Sequence, residues 1–228
     1  PGGSSANVDM ASGSFFASPL ATEYMTTTNV EVPEYQPSTL VVSAKTAYLG
    51  KLTLGPASDL TVNGGPGLSV NFTSTVFENT FSGSTITFKS NAAVGLGQIT
   101  DDLNGLPPAG LWTITNQGVG TIVFNNTTSK NDLSHTDLVL TQQNSGAEAD
   151  ASSLPGAFDP LGNINTIQLN GPGTIFRVGN KDGTGTATVN ASSVVINPGY
   201  GFAGIQHAGT TSDIFTGTTI DIQSGGLE

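Results

Sequence analysis

The sequence predicts an all-β protein, a right-handed parallel β-helix of short strands, with a β-sandwich or jelly roll as the alternative architecture. Three observations point there. First, six short apolar runs end in asparagine: Leu60-Thr61-Val62-Asn63, Leu68-Ser69-Val70-Asn71, Ile122-Val123-Phe124-Asn125, Ile167-Gln168-Leu169-Asn170, Ala187-Thr188-Val189-Asn190 and Val194-Val195-Ile196-Asn197. Apolar side chains at positions one and three describe a brief strand with one buried face, and asparagine tolerates the left-handed backbone that turns a chain sharply. Second, neighbouring units fall seven to nine residues apart in places (Val62 to Val70, Leu169 to Arg177-Val178, Val189 to Ile196), too close for helical crossovers. Third, no stretch of a dozen residues combines three-four apolar spacing with a helix-forming composition, because β-branched residues and glycine interrupt throughout.

In chain order, residues 1–38 are rich in Gly, Ser, Thr, Ala and Pro, and read as a loosely structured lead-in whose Phe15-Phe16, Leu20 and Tyr24-Met25 dock onto the main body. Residues 39–228 are predicted to be the β-helical domain. Leu40-Val41-Val42, Tyr48-Leu49, Leu52-Thr53-Leu54, Leu60-Thr61-Val62 and Leu68-Ser69-Val70 are strands, separated at Gly50, Gly55-Pro56 and Gly64-Gly65-Pro66-Gly67, where Gly and Pro supply corner dihedrals. Val76-Phe77, Phe81, Thr85 to Phe88, Leu111 to Thr115 and Gly120 to Phe124 continue the series. Asp101 to Pro108 reads as a loop, and Gln142 to Pro160 as a longer polar excursion containing Glu148, Asp150 and Asp159. After Asn163 the rhythm resumes at Thr166-Ile167-Gln168-Leu169, Thr174-Ile175-Phe176, Ala187 to Val189, Val194 to Ile196 and Thr219 to Ile222. Three strands plus corners amount to roughly 20 to 30 residues per coil, inside the period range of solenoids.

Composition bounds the function. A formal charge of -11, from 17 acids against 6 bases, opposes nucleic acid and anionic membrane surfaces, whose affinity depends on Lys and Arg. There is no cysteine, so neither disulfides nor thiolate metal sites stabilise the fold. Low charge with abundant Thr, Asn and Gly points to a secreted bacterial protein, and no apolar stretch reaches the roughly 18 residues of a membrane span. The start at Pro1 and the closing Leu227-Glu228 after Ser224-Gly225-Gly226 are expected to mark an excised piece with a cloning remnant.

The segments Leu60 to Asn71, Gly118 to Asn126 and Thr166 to Gln223, with strings such as Gly120-Thr121-Ile122-Val123-Phe124-Asn125-Asn126 and Gly183-Thr184-Gly185-Thr186-Ala187-Thr188-Val189-Asn190, resemble the passenger region of a bacterial autotransporter or related β-helical surface adhesin. The chain is short for such a passenger and carries no recognisable translocator barrel. The resemblance implies a secreted, elongated, mostly parallel stack that displays loops for attachment or for self-association between cells, with a part in biofilm formation and virulence.

Chemistry has few footholds. A β-helical polysaccharide lyase needs acids to hold calcium and a basic residue to abstract a proton, and Arg177, Lys181 and Asp182 lie close together, with Asp101 and Asp102 able to join them in space. Yet Arg177 is the only arginine, and Asn180-Lys181-Asp182-Gly183 has the composition of an ordinary turn. A glycosidase needs paired carboxylates, for which Glu78, Asp101, Asp102 and Asp137 are candidates among many acids. His135, beside Asp132 and Asp137, and His207 lack partnered motifs; there is no Gly-x-Ser-x-Gly elbow and no phosphate loop. Compact calcium-loop spacing is absent, so solvated loop acids are the simpler reading. Thr85-x-Thr87, Thr113-x-Thr115 and Thr184-x-Thr186-x-Thr188 are scattered, and strand propensity explains them better than an ice-binding array, which needs a pair on every coil. Trp112 with Tyr24, Tyr35, Tyr48 and Tyr200 could form a sugar-stacking platform, although core or rim packing is the default for Trp112. The sequons at Asn71, Asn125, Asn126 and Asn190 arise from Asn-rich turns.

The expectation is therefore a non-enzymatic extracellular module for adhesion or self-association on a bacterial cell surface. Its partners would be other copies of itself, or cell-surface glycans or proteins, with no cofactor, metal or catalytic residue and with its binding residues unidentified. The alternatives are a carbohydrate-binding or polysaccharide-cleaving β-helix and a viral or phage coat or fibre module.

Overall fold

The computed structural model describes residues 6–9, 14–17, 22–43, 45–65, 67–78, 85–102, 112–126, 131–141, 148–150, 161–179, 189–208 and 218–223. The first ten strands are β1 (Ala6–Asp9), β2 (Ser14–Ala17), β3 (Thr22–Met25), β4 (Thr28–Val32), β5 (Pro37–Val42), β6 (Thr46–Leu54), β7 (Asp59–Asn63), β8 (Ser69–Glu78), β9 (Thr85–Ser90) and β10 (Ala93–Gly95). The next ten are β11 (Gln98–Asp102), β12 (Trp112–Asn116), β13 (Thr121–Val123), β14 (Asn131–Thr141), β15 (Glu148–Asp150), β16 (Leu161–Asn170), β17 (Ile175–Gly179), β18 (Asn190–Asn197), β19 (Gly204–Ala208) and β20 (Thr219–Ile222). There is no helix among the described residues.

One sheet stacks β1-β4-β6-β8-β10-β13-β15-β17-β19, with β3 also pairing β6 and β11 also pairing β8; the other stacks β2-β5-β7-β9-β12-β14-β16-β18-β20. Every neighbour is parallel and belongs to the adjoining coil, as in the pairs β5 with β7, β7 with β9 and β9 with β12. This is a parallel β-solenoid rather than a sandwich. Register partners lie from 22 residues apart (Leu40 against Val62) to 31 (Leu133 against Ile164), close to the predicted coil length.

Period-two alternation explains the core. Ile86, Ile114, Leu138, Ile167 and Val194 are register partners on five successive strands, and all are fully buried. Beside them run Leu60, Phe88, Asn116, Leu140, Leu169 and Ile196, equally buried. Burial of such a side chain is worth about 1.5–3 kcal/mol, so each coil is held by the apolar floor of its neighbours. Asn116 interrupts the second row without an unpaired amide: its Nδ2 donates to the Gly120 carbonyl at 2.8 Å and its Oδ1 accepts from the Gly118 N–H at 3.0 Å. On the opposite sheet Ala47, Val70, Val94 and Ile122 form the facing row.

The longer strands bend. In β6 Leu49 and Leu52 both point inward, and in β8 so do Phe72 and Thr75, so two residues rather than one separate the inward-facing positions at each bend. β16 repeats this with Leu161, Ile164 and Ile167. A stagger of three where alternation demands two marks a corner. β3 and β4 share β6, and β10 and β11 share β8, because each shorter pair is one bent strand broken at its corner.

Several expectations are corrected by this geometry. None of the six asparagines adopts a left-handed backbone; among the described residues the non-glycine positions with positive φ are Tyr35 and Ala57. Asn71, Asn125 and Asn190 act through their side-chain amides instead. Asn125 Nδ2 donates to Asn71 Oδ1 at 3.0 Å, and Asn190 Nδ2 donates to Asn163 Oδ1 at 3.2 Å. Asp101 and Asp102 are not loop residues but the end of β11, and the excursion from Gln142 holds the strand β15, paired to β13 and β17. Pairing to strands on both sides satisfies backbone groups that a loop would leave to water. Residues 1–38 contribute β1, β2 and β3, which pair β4, β5 and β6 respectively.

Lys89 and Asp59, on adjacent strands of the second sheet, form an ion pair at 2.9 Å. Burial pushes the Asp59 carboxyl up, but hydrogen bonds from Lys89 and Thr87 and the Lys89 charge outweigh it and hold the carboxyl below its ordinary value. A depressed folded-state value stabilises the protein above the ordinary carboxylate range, and the contribution is lost as pH falls through the folded value. Both side chains are more than a third exposed, so the pair is worth no more than about 1 kcal/mol. Asp59→Asn is expected to lower the denaturation midpoint slightly at neutral pH and to leave it unchanged in strong acid; an equal drop at both would show that the charge is not responsible.

Candidate functional site

Two outward surfaces gather polar side chains. On the second sheet Thr85, Thr113, Asp137, Thr166, Ser193 and Thr219 are register partners on six successive strands, a single column in which five members carry hydroxyls. All six are half-buried or exposed. Asp137 is fastened from the next coil by Asn165, whose Nδ2 donates to Asp137 Oδ1 at 2.7 Å. The column exists because alternation sends every second side chain outward, and parallel in-register stacking places like residues above one another.

The second surface is a cleft of about 340 Å³ on the first sheet, lined by Tyr48, Asn71, Phe72, Thr73, Gly97, Gln98, Asn125 and Asn126. Tyr24 and Tyr48, register partners on β3 and β6, stack with ring centroids 4.9 Å apart and planes 3° from parallel. The floor is an amide network. Asn125 spans the coil of β10 to reach Asn71, and it can do so because Gly95 lies between: a Cβ there would run into both amides. Asn125 Oδ1 also accepts from the Gly97 N–H at 2.7 Å. Asn131 Oδ1 accepts from Gln98 Nε2 at 2.8 Å and from the Ile99 N–H at 2.9 Å, while its Nδ2 donates to Asn126 Oδ1 at 2.9 Å. Buried amides with several partners each are rigid.

The residues singled out for chemistry fall apart in space. Arg177 lies on β17 and its Nε donates to Gln206 Oε1 at 2.9 Å, whereas Asp101 and Asp102 lie on β11 in the coil of β10. In the strand order β13 and β15 intervene, so about 14 Å of stacking separates them at the usual interstrand spacing. Lys181, Asp182 and Asp159 lie outside the described residues, as do the side chains of Asp101, Asp102, Asp132 and His207. Glu78 and Asp102 are register partners on β8 and β11, while Asp137 belongs to the other sheet. His135 sits at the corner of β14 with Ser134 Oγ 3.5 Å from its Nδ1. No group of three metal-ligating side chains occurs among the described residues.

The aromatic expectation divides. Trp112 is 1% exposed and packs against Phe77 at 5.7 Å, so it is a core residue. Tyr24 is 74% exposed and carries the stack with Tyr48; Tyr35 and Tyr200 are exposed elsewhere. Thr85-x-Thr87 lies directly against Thr113-x-Thr115, but the next coil presents Asp137 and Val139, so a continuous threonine-pair array does not form. Thr184, Thr186 and Thr188 lie outside the described residues. The amide cleft went unrecognised in the sequence, although its signal was present in two sequons, at Asn71 and Asn125, beside tyrosines at coil spacing.

The arrangement defines a parallel β-solenoid with ordered polar surfaces. Comparison with known protein families, curated proteins and solved structures found no match.

Proposed function

We propose that this chain is a non-enzymatic attachment or self-association module of an extracellular bacterial surface protein. The observation that carries the reading is the column Thr85-Thr113-Asp137-Thr166-Ser193-Thr219, an extended row of hydrogen-bonding, nearly uncharged side chains on a scaffold whose backbone is paired coil to coil. One such hydrogen bond contributes about 0.5–1.5 kcal/mol net, too little to hold a partner. Six in register act together, and many copies on a surface multiply them further. Lack of strong charge in the column lets two copies approach despite the overall formal charge of -11.

The reading is tested by sedimentation of the purified chain over a wide concentration range, alongside the double variant Thr113→Lys, Ser193→Lys. The native chain is expected to associate reversibly, and the variant to remain monomeric with an unchanged unfolding profile. Association that survives the lysines, or a native chain that neither associates nor adheres to cell surfaces at any concentration, would overturn it.

A further inference from the structure

We infer that the cleft beside Tyr48 is a binding subsite for an uncharged sugar ring. It lies on the sheet opposite the threonine column, so it goes beyond the self-association reading and does not depend on it. Tyr24 covers one face of the Tyr48 ring. Because the stack follows the coil axis, the other face turns towards Asn71, the next register partner, where the cleft opens. A pyranose presents C–H groups on its flat faces and hydroxyls around its rim, which matches an aromatic wall standing over a polar floor.

The floor is prepared for those hydroxyls. Asn71 Oδ1 is engaged by Asn125, leaving the Asn71 amide N–H groups without a hydrogen-bond partner among the described residues. Those hydrogens point to oxygen acceptors, and the exposed Thr73 hydroxyl both donates and accepts. The amides are already held in place by Gly97 and Asn125, so no ordering is needed at the moment of binding. None of the lining residues is charged, and the chain as a whole is strongly acidic, which selects a neutral glycan over an acidic one. At about 340 Å³ the cleft has the volume of a small-ligand site and accommodates one ring of a longer chain, which continues across the exposed Tyr24.

The test is calorimetric titration of the full chain with cellohexaose, maltohexaose and, for contrast, an oligogalacturonate of similar length. At least one neutral hexasaccharide is expected to bind; Tyr48→Ala is expected to weaken it at least ten-fold, and Tyr48→Phe, which keeps the ring, by less than three-fold. Circular dichroism of Tyr48→Ala, expected to be unchanged, separates a lost wall from a lost fold, and its sedimentation, expected to match that of the native chain, separates this site from self-association. Absence of binding to both neutral probes, preference for the oligogalacturonate, or equal affinity in a folded Tyr48→Ala protein would each overturn the inference.

Discussion

Gly97→Val is expected to cost about 4 kcal/mol or more, in the range reached by few single substitutions. Gly97 has φ +61, a left-handed conformation that is strained for any side chain and most of all for a β-branched one. Space is lacking too: a Cβ would stand 2.5 Å from the carbonyl oxygens of both Phe72 and Thr73, which belong to the backbone of the preceding coil and cannot swing aside. Relieving the clash means pulling β11 away from β8, which also breaks the hydrogen bond from the Gly97 N–H to Asn125 and the support for Asn131. Since each coil touches mainly its neighbours, the loss should open the middle of the solenoid before its ends. Hydrogen exchange is the proper readout: amides of β8, β10 and β11 should lose protection while those of β16 and β18 keep theirs. Native protection throughout would show that the corner does not need its glycine.

Trp112→Ala should be nearly as damaging, at about 3–5 kcal/mol, because it empties the largest fully buried side chain from the interior. Trp112 lies against Phe77 across the coil, so its removal leaves a cavity bounded by two sheets that cannot collapse towards one another. A second variant sharpens the argument. The Trp112 Nε1 hydrogen is buried without a partner among the described residues, and Trp112→Phe removes that donor while keeping a ring. It should therefore destabilise far less than alanine does. Denaturant unfolding of the two variants decides: equal losses would mean that the ring contributes little and that the site repacks freely.

These two positions mark how far the chain could be read unaided. The short strands, their burial pattern and the coil length of roughly 20 to 30 residues were legible, because alternation along a strand is written in consecutive residues. Leu60 and Val62, or Ile167 and Leu169, need no partner to reveal their inward face. For Trp112 the alternation with Leu111 and Thr113 leaves inward and outward equally open; burial and the contact with Phe77 place it in the core rather than on a sugar-stacking platform. The reading of Asn71 and Asn125 as strand ends fails, since Asn71 lies inside β8 and Asn125 follows β13, and their pairing is invisible in a sequence that separates them by 54 residues and joins them by an amide hydrogen bond over Gly95. Arg177 and the acids of β11 looked compatible with one site until the strand order put two rungs between them.

The sequence by itself determined an all-β chain of brief strands, closed corners and a coil of solenoid length. Only the tertiary structure decided which coil residues become neighbours, and so where the threonine column and the tyrosine-amide cleft lie. The reason is that alternation and turn chemistry act over two to four residues, whereas lateral register is set by how each coil fits the apolar floor of the one before it. A shift of one residue in that fit would send every outward side chain inward.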